Sequence, residues 1–166
     1  MNKDLKALIH QTRPFRSLEE EVYLALRLTA QLMDEPWHRY LRQTEDISPS
    51  QYNLLRILRG AGEEGRTMSE IAERMINRDP DVTRLADRMV KRGLARRDRD
   101  SEDRRVVKLR ITEAGLDLLK GLDASVDVFM EQILGSQGPK RLRELNDLLA
   151  DVRAGFRPFP PEGAGK

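Results

Sequence analysis

Cysteine is missing from the chain, and histidine occurs only twice, at His10 and His38. Disulfides, thiol redox switches and thiolate metal sites are thereby excluded. Two isolated imidazoles without further clustered ligands give no metal site. Aromatic residues are scarce, at 5% with a single Trp. Long apolar runs are lacking too: no segment approaches the roughly 20 residues that a membrane span needs. The opening MNKDLKALIH carries charges inside its short apolar stretch, unlike a cleavable signal. A cytoplasmic protein with no membrane partner and no cofactor is expected. A Gly-rich phosphate loop, a nucleophile elbow and a metal-ligand cluster are also wanting, so an enzyme has no local frame here.

What is present is charge. The 166 residues suffice for one core, but 39% hydrophobic against 35% charged residues is lean for a self-contained monomer, which points to a second copy completing the apolar surface. The formal net charge is only +2, yet Arg84 to Arg110 holds eleven Lys and Arg against five Asp and Glu. A basic module is attached to an acidic body.

Capping residues divide the chain into helices. Ser17 with Glu20 opens a long one, apolar at Val22, Leu26, Ala30, Met33, Trp37 and Leu41. Ser48-Pro49-Ser50-Gln51 starts a second and Thr67-Met68-Ser69-Glu70 a short third. Asp79-Pro80 is expected to cap a fourth, with Val82, Leu85, Ala86, Met89 and Val90 inward and Gly93 at its end. The period then changes to alternation at Val107, Leu109 and Ile111, a strand that Leu94 to Arg97 can pair with. Asp98 to Arg104 reads as the hairpin tip. Thr112 caps a further long helix, Gly135 to Pro139 breaks it, and Leu142, Leu145, Leu148, Leu149 and Val152 mark a last one. The tail from Pro158 is expected to be disordered.

Two short helices joined by a tight turn and followed by a charged hairpin suit a duplex: the second helix enters the major groove and the hairpin reaches the adjoining minor groove or backbone. Arg84 and Arg88 lie one turn apart on the polar face, placed to read guanine edges, whereas Lys91 and Arg92 near the helix end are expected to meet phosphate or solvent. An arginine-rich helix alone is as well explained by a solvated face. The hairpin arginines Arg99, Arg104 and Arg105 shift the balance, because so many like charges repel unless a polyanion neutralises them. Asp98, Asp100 and Asp103 read as local partners holding those arginines.

The run from Val82-Thr83-Arg84-Leu85 through Lys91-Arg92-Gly93-Leu94, then Asp100 to Arg105 and Leu109-Arg110-Ile111-Thr112, resembles the recognition helix and wing of the MarR family of winged-helix regulators. That family's wing signature falls on Asp103, Arg105, Ile111 and Thr112, with Ile111 where Leu is usual. The resemblance implies a mainly α fold with a small β-hairpin wing, in which N- and C-terminal helices form a dimerisation domain. It divides the chain into a dimerisation helix at 1–47, a winged helix-turn-helix lobe at 48–111, dimerisation helices at 112–157 and a tail at 158–166.

It further implies a homodimeric, ligand-responsive repressor binding double-stranded DNA at a pseudo-palindromic operator. Arg105 would enter the minor groove while Asp103 steadies it. The DNA-contacting set is then Thr67, Ser69, Arg78, Asp81, Thr83, Arg84, Arg88, Arg99, Asp103, Arg104 and Arg105. A small aromatic or lipophilic effector would meet Trp37, His38, Leu41, Tyr52 and Arg56, although aromatics on helix stripes are more often core. The dimer interface is expected at Leu5, Leu8, Ile9, Val22, Leu142, Leu145 and Leu149. The competing reading is a helical interaction module whose basic hairpin binds an acidic protein partner.

Overall fold

The computed structural model describes residues 4–76, 81–99 and 105–156. In order these form helices α1 (Leu5–Leu8), α2 (Leu18–Thr44), α3 (Pro49–Ala61), α4 (Met68–Arg74) and α5 (Val82–Lys91), strands β1 (Ala95–Arg99) and β2 (Val107–Ile111), and helices α6 (Glu113–Leu134) and α7 (Gly138–Ala154). The fold is thus mainly α with one antiparallel hairpin. Contacts divide the chain into two compact units, one ending at Asp123 and one beginning at Ala124. The tail beyond 157, Arg78, and the residues of the tip from Asp100 to Arg104 lie outside the described residues.

Local chemistry sets the helix starts. Ser48 and Thr67 close full capping boxes with Gln51 and Glu70. At Ser17 the expected box forms only by half. The Ser17 hydroxyl accepts the Glu20 N–H at 3.3 Å, but the Glu20 carboxylate turns to the Arg16 N–H at 2.6 Å and to its guanidinium. The fourth start also differs from expectation: α5 begins at Val82, and Asp81, not Asp79, is its N-cap, accepting the Arg84 N–H at 3.0 Å. Asp81 is therefore engaged in holding the helix as well as facing outward. The physical reason is that either aspartate precedes the same apolar run by a cap's distance, and sequence alone does not rank them.

The core of the first unit lies where α2, α3, α4, α5, the hairpin and the first turns of α6 meet. Leu41, Ile47, Leu54, Leu55, Leu58, Ile71, Met89, Leu109, Leu119 and Leu122 are all fully buried side chains there. Full burial of one such side chain contributes roughly 1.5–3 kcal/mol, so this cluster fixes how α5 is presented. Arg59 on α3 reaches Asp123 on α6 with two hydrogen bonds, at 2.9 and 3.1 Å. The second unit, taken by itself, contains α7, none of whose residues is buried. Among the described residues no helix is long and apolar enough to cross a membrane.

Candidate nucleic-acid interface

The helix pair α4 and α5 presents one polar side outward. Val82, Leu85, Ala86 and Met89 of α5 face the core, which leaves Thr83, Arg84, Asp87, Arg88 and Lys91 exposed. Arg84 keeps 75% of its side-chain surface while its Nε stands 3.4 Å from Asp81. So exposed a pair contributes little to stability, but it limits where the guanidinium goes. On α4, Ser69 is exposed. The Thr67 hydroxyl is spent on the cap: it accepts the Glu70 N–H at 3.3 Å and donates to the Glu70 carboxylate at 3.0 Å. The Thr67 N–H, and after it that hydroxyl bond, hold the Glu70 carboxyl below the usual carboxylate range.

Five register pairs join the hairpin strands, from Ala95 opposite Ile111 to Arg99 opposite Val107. A third stretch of chain closes its outer edge, as Arg66 exchanges two backbone bonds with Leu109, at 2.9 and 2.7 Å. That approach is possible because Gly65 sits at φ +65°, where a Cβ would stand 2.7 Å from the Leu109 carbonyl oxygen. Asp98 lies between Arg96 and Arg110, in ion pairs with both; these are arginines within the strands, not the Arg99, Arg104 and Arg105 that it was expected to hold. Arg97 reaches across to Asp87 on α5 at 2.7 Å. The hairpin and the outward helix are thereby tied by charge as well as by packing. Arg105 is an exposed turn residue just before β2, and Arg99 is exposed at the end of β1.

The exit of α5 is a polar knot. Gly93, at φ +71°, ends the helix, and the Thr112 hydroxyl donates to its carbonyl at 2.6 Å while accepting the Gly115 N–H at 3.2 Å. Arg92 stays exposed, as expected of a residue that meets phosphate or solvent, but it has protein partners as well. Its guanidinium donates to the carbonyls of Asp46 and Glu45, at 2.5 and 3.0 Å, and so pins the loop between α2 and α3 to the end of α5. Nothing near Arg92 in the sequence signals this, since the acceptors are backbone atoms more than forty positions away.

The effector candidates separate into two places. Trp37 packs edge-on against Tyr52 at 5.4 Å and is stacked on Tyr40 at 5.6 Å. The Arg56 guanidinium lies 5.8 Å from the Tyr52 ring centre. Burial pushes the Tyr52 phenol up, against the pull of Arg56 and Arg59. Leu41 is completely buried. His38 instead lines a hollow of about 420 Å³ with Glu35, Arg39, Arg42 and Gln43. Tyr40, missed in the sequence, belongs to the aromatic group because it lies three residues after Trp37 on the same helix.

None of the expected interface residues is buried. Leu8, Val22 and Leu145 are exposed, while Leu5, Ile9, Leu142 and Leu149 are partly covered. Leu18, Tyr23 and Leu32 extend the exposed apolar surface of α2, and Leu148 and Val152 that of α7.

Residues 45–106 match the model of the MarR family. The chain is similar to the HTH-type transcriptional repressor MdtR of Bacillus subtilis, 36% identical over 73 residues, which cover 44% of this chain and 46% of that relative. The chain thus spans about half the length of that curated relative. A MarR transcription factor from Planctomyces limnophilus is 42% identical, with 82% of this chain and 98% of that one covered and a TM-score of 0.62. A MarR family regulator from Streptomyces coelicolor, solved in complex with DNA, shares the fold at 21% identity, with 92% and 96% covered and a TM-score of 0.75.

Proposed function

Because the chain belongs to the MarR family of transcription regulators, we propose that it is a sequence-specific, ligand-responsive repressor that binds a pseudo-palindromic operator as a homodimer. The observation that carries this reading is the pairing of two surfaces. One is the outward side of α5 with Arg84 and Arg88, and the other is an arginine-rich hairpin held to that helix through Arg97 and Asp87. A helix so presented fits the major groove while the hairpin follows the adjoining minor groove. Thr83, Arg84 and Arg88 then meet base edges, with Asp81 orienting Arg84. Ser69 and Arg78 meet the backbone, and Thr67 contributes by setting the start of α4. Arg99, Arg104 and Arg105 make up the wing, Arg105 in the groove with Asp103 steadying it.

A fluorescence-anisotropy titration against a duplex selected from random sequence tests the reading. Affinity should exceed that for unrelated DNA by at least about a thousandfold and fall steeply with salt as counterions are released. Equal affinity for all duplexes, or none for DNA and tight capture of an acidic protein instead, would make the hairpin a protein-docking element.

The homodimer follows from the apolar surface that one copy leaves open at both ends of the chain. Sedimentation at low micromolar concentration should give a dimer. Val22→Glu and Leu145→Glu, each entering a two-fold interface twice, should shift it to monomer. A folded monomer from the unaltered protein would remove the claim. A small aromatic or lipophilic effector suits the group of Trp37, Tyr52 and Arg56, backed by Leu41, where ring faces and one guanidinium meet; His38 would join only by way of the hollow it lines on α2.

A further inference from the structure

Beside the last turn of α5 lies a hollow of about 400 Å³. Arg42 from the last turn of α2, Asp46 and Ile47 from the following loop, and Arg88, Lys91 and Arg92 from α5 line it. Each cation is in a position where it complements the carbonyl end of its own helix, and that bland reading accounts for each helix singly. It does not account for the convergence of two helix ends on one concavity, which gathers four cations around a single carboxylate. Arg92 is occupied by the Glu45 and Asp46 carbonyls. The side chains of Arg42, Arg88 and Lys91 have no hydrogen bond or ion pair among the described residues. The rim is also rigid, because Asp46 is held at φ +50° by the Arg92 clamp and the floor, Ile47, is buried.

We propose that this hollow binds a phosphate group. A carboxylate would offset only one charge of the surplus, whereas a phosphate offers more charge and three acceptor oxygens to several donors at once. The same chemistry comes from two sources, a free phosphate ester or a backbone phosphate of the duplex. Arg88 lines the hollow and also faces DNA in the reading above, on which this part rests. A free phosphate ester and the operator therefore draw on one side chain and bind antagonistically, each weakening the other by the same factor.

The experiment begins with the full-length protein free of DNA. Inorganic phosphate is titrated against sodium chloride of matched ionic strength, following the amide resonances of Arg42, Ile47 and Lys91. Saturable shifts confined to that neighbourhood are expected with phosphate and not with chloride, and Arg42→Gln should weaken them by about tenfold or more. Arg42 is exposed, so the variant should keep its melting temperature; Lys91→Gln serves as the second variant if it does not. Operator affinity of Arg42→Gln in chloride buffer then separates the sources. Unchanged affinity with loss of competition by phosphate assigns the site to a free ester, and a salt slope smaller by about one assigns it to the DNA backbone. Phosphate shifts no larger than those with chloride, together with unaltered DNA binding by both variants, would overturn the proposal. Since the first measurement needs no DNA, failure of the protein to bind any duplex would fell the functional reading and leave this result standing.

Discussion

Gly115→Ala lowers the stability of the folded chain by about 3 kcal/mol, a drop of about 6–12 °C in melting temperature for a protein of this size. The sign runs against propensity, because alanine in a helix is ordinarily preferred over glycine by about 0.5–1 kcal/mol. Gly115 lies in the first turn of α6, where a Cβ would come within 2.7 Å of the Ile111 side chain and closer still to the Leu94 carbonyl oxygen. The carbonyl is the harder obstacle. It accepts the Thr112 N–H at 3.2 Å, and Thr112 in turn binds Gly93 and Gly115, so yielding to a methyl group means loosening the root of the hairpin. Gly121 on the same helix supplies the control, since nothing lies within 4 Å of its added Cβ. Gly121→Ala should raise the melting temperature modestly. Thermal unfolding of the two variants by circular dichroism decides it, and a rise in both would show that the contact at Gly115 relaxes at no cost.

Arg84→Ala should cost about 1–3 kcal/mol on the selected operator, about five- to 150-fold in affinity, and far less on random DNA. The reasoning is geometric. Arg84 has a free approach to a groove, three-quarters of its side-chain surface being open, and Asp81 restrains its guanidinium from one side. Arg97 is a different kind of arginine, because its charge is already matched by Asp87 at 2.7 Å. Losing Arg97 should weaken binding to all sequences alike by freeing the hairpin from α5. Competition titrations of both variants on specific and random duplexes test the contrast. Equal losses for Arg84→Ala on both duplexes would make it a backbone contact, with readout left to Arg88 and the hairpin.

Much of this arrangement was legible in the sequence because its causes are short-ranged. A cap spans three residues, so Ser48 with Gln51, Thr67 with Glu70 and the Thr112 start announce themselves, as do the alternation around Leu109 and the inward stripe of α5. Even short-range signals compete, though: Glu20 chose the Arg16 N–H over the cap, and Asp81 displaced Asp79. What the sequence did not reveal depends on residues brought together from far apart. The Arg66 bridge to Leu109, the Arg92 clamp on Glu45 and Asp46, and the Arg97 pair with Asp87 have no spacing rule. Gly115 looks like an ordinary weak spot in a helix until the Leu94 carbonyl is seen beside it. Among the effector candidates, helical spacing set Trp37 near Tyr40, but only the packing of α2 on α3 brought Tyr52 alongside, and it left His38 lining a separate hollow.

The hairpin is fastened at its root on three sides, by Arg66 along its outer edge, by Arg97 to α5 and by the Thr112 knot to α6. None of these fastenings uses the segment between Arg99 and Arg105. Lengthening a stretch of chain whose ends are already fixed costs little, since closure entropy grows only with the logarithm of its length. Tip residues can accordingly be exchanged, added or removed over evolutionary time at little expense to folding. Such a division lets descendants of one regulator acquire new binding sites while inheriting an unaltered scaffold.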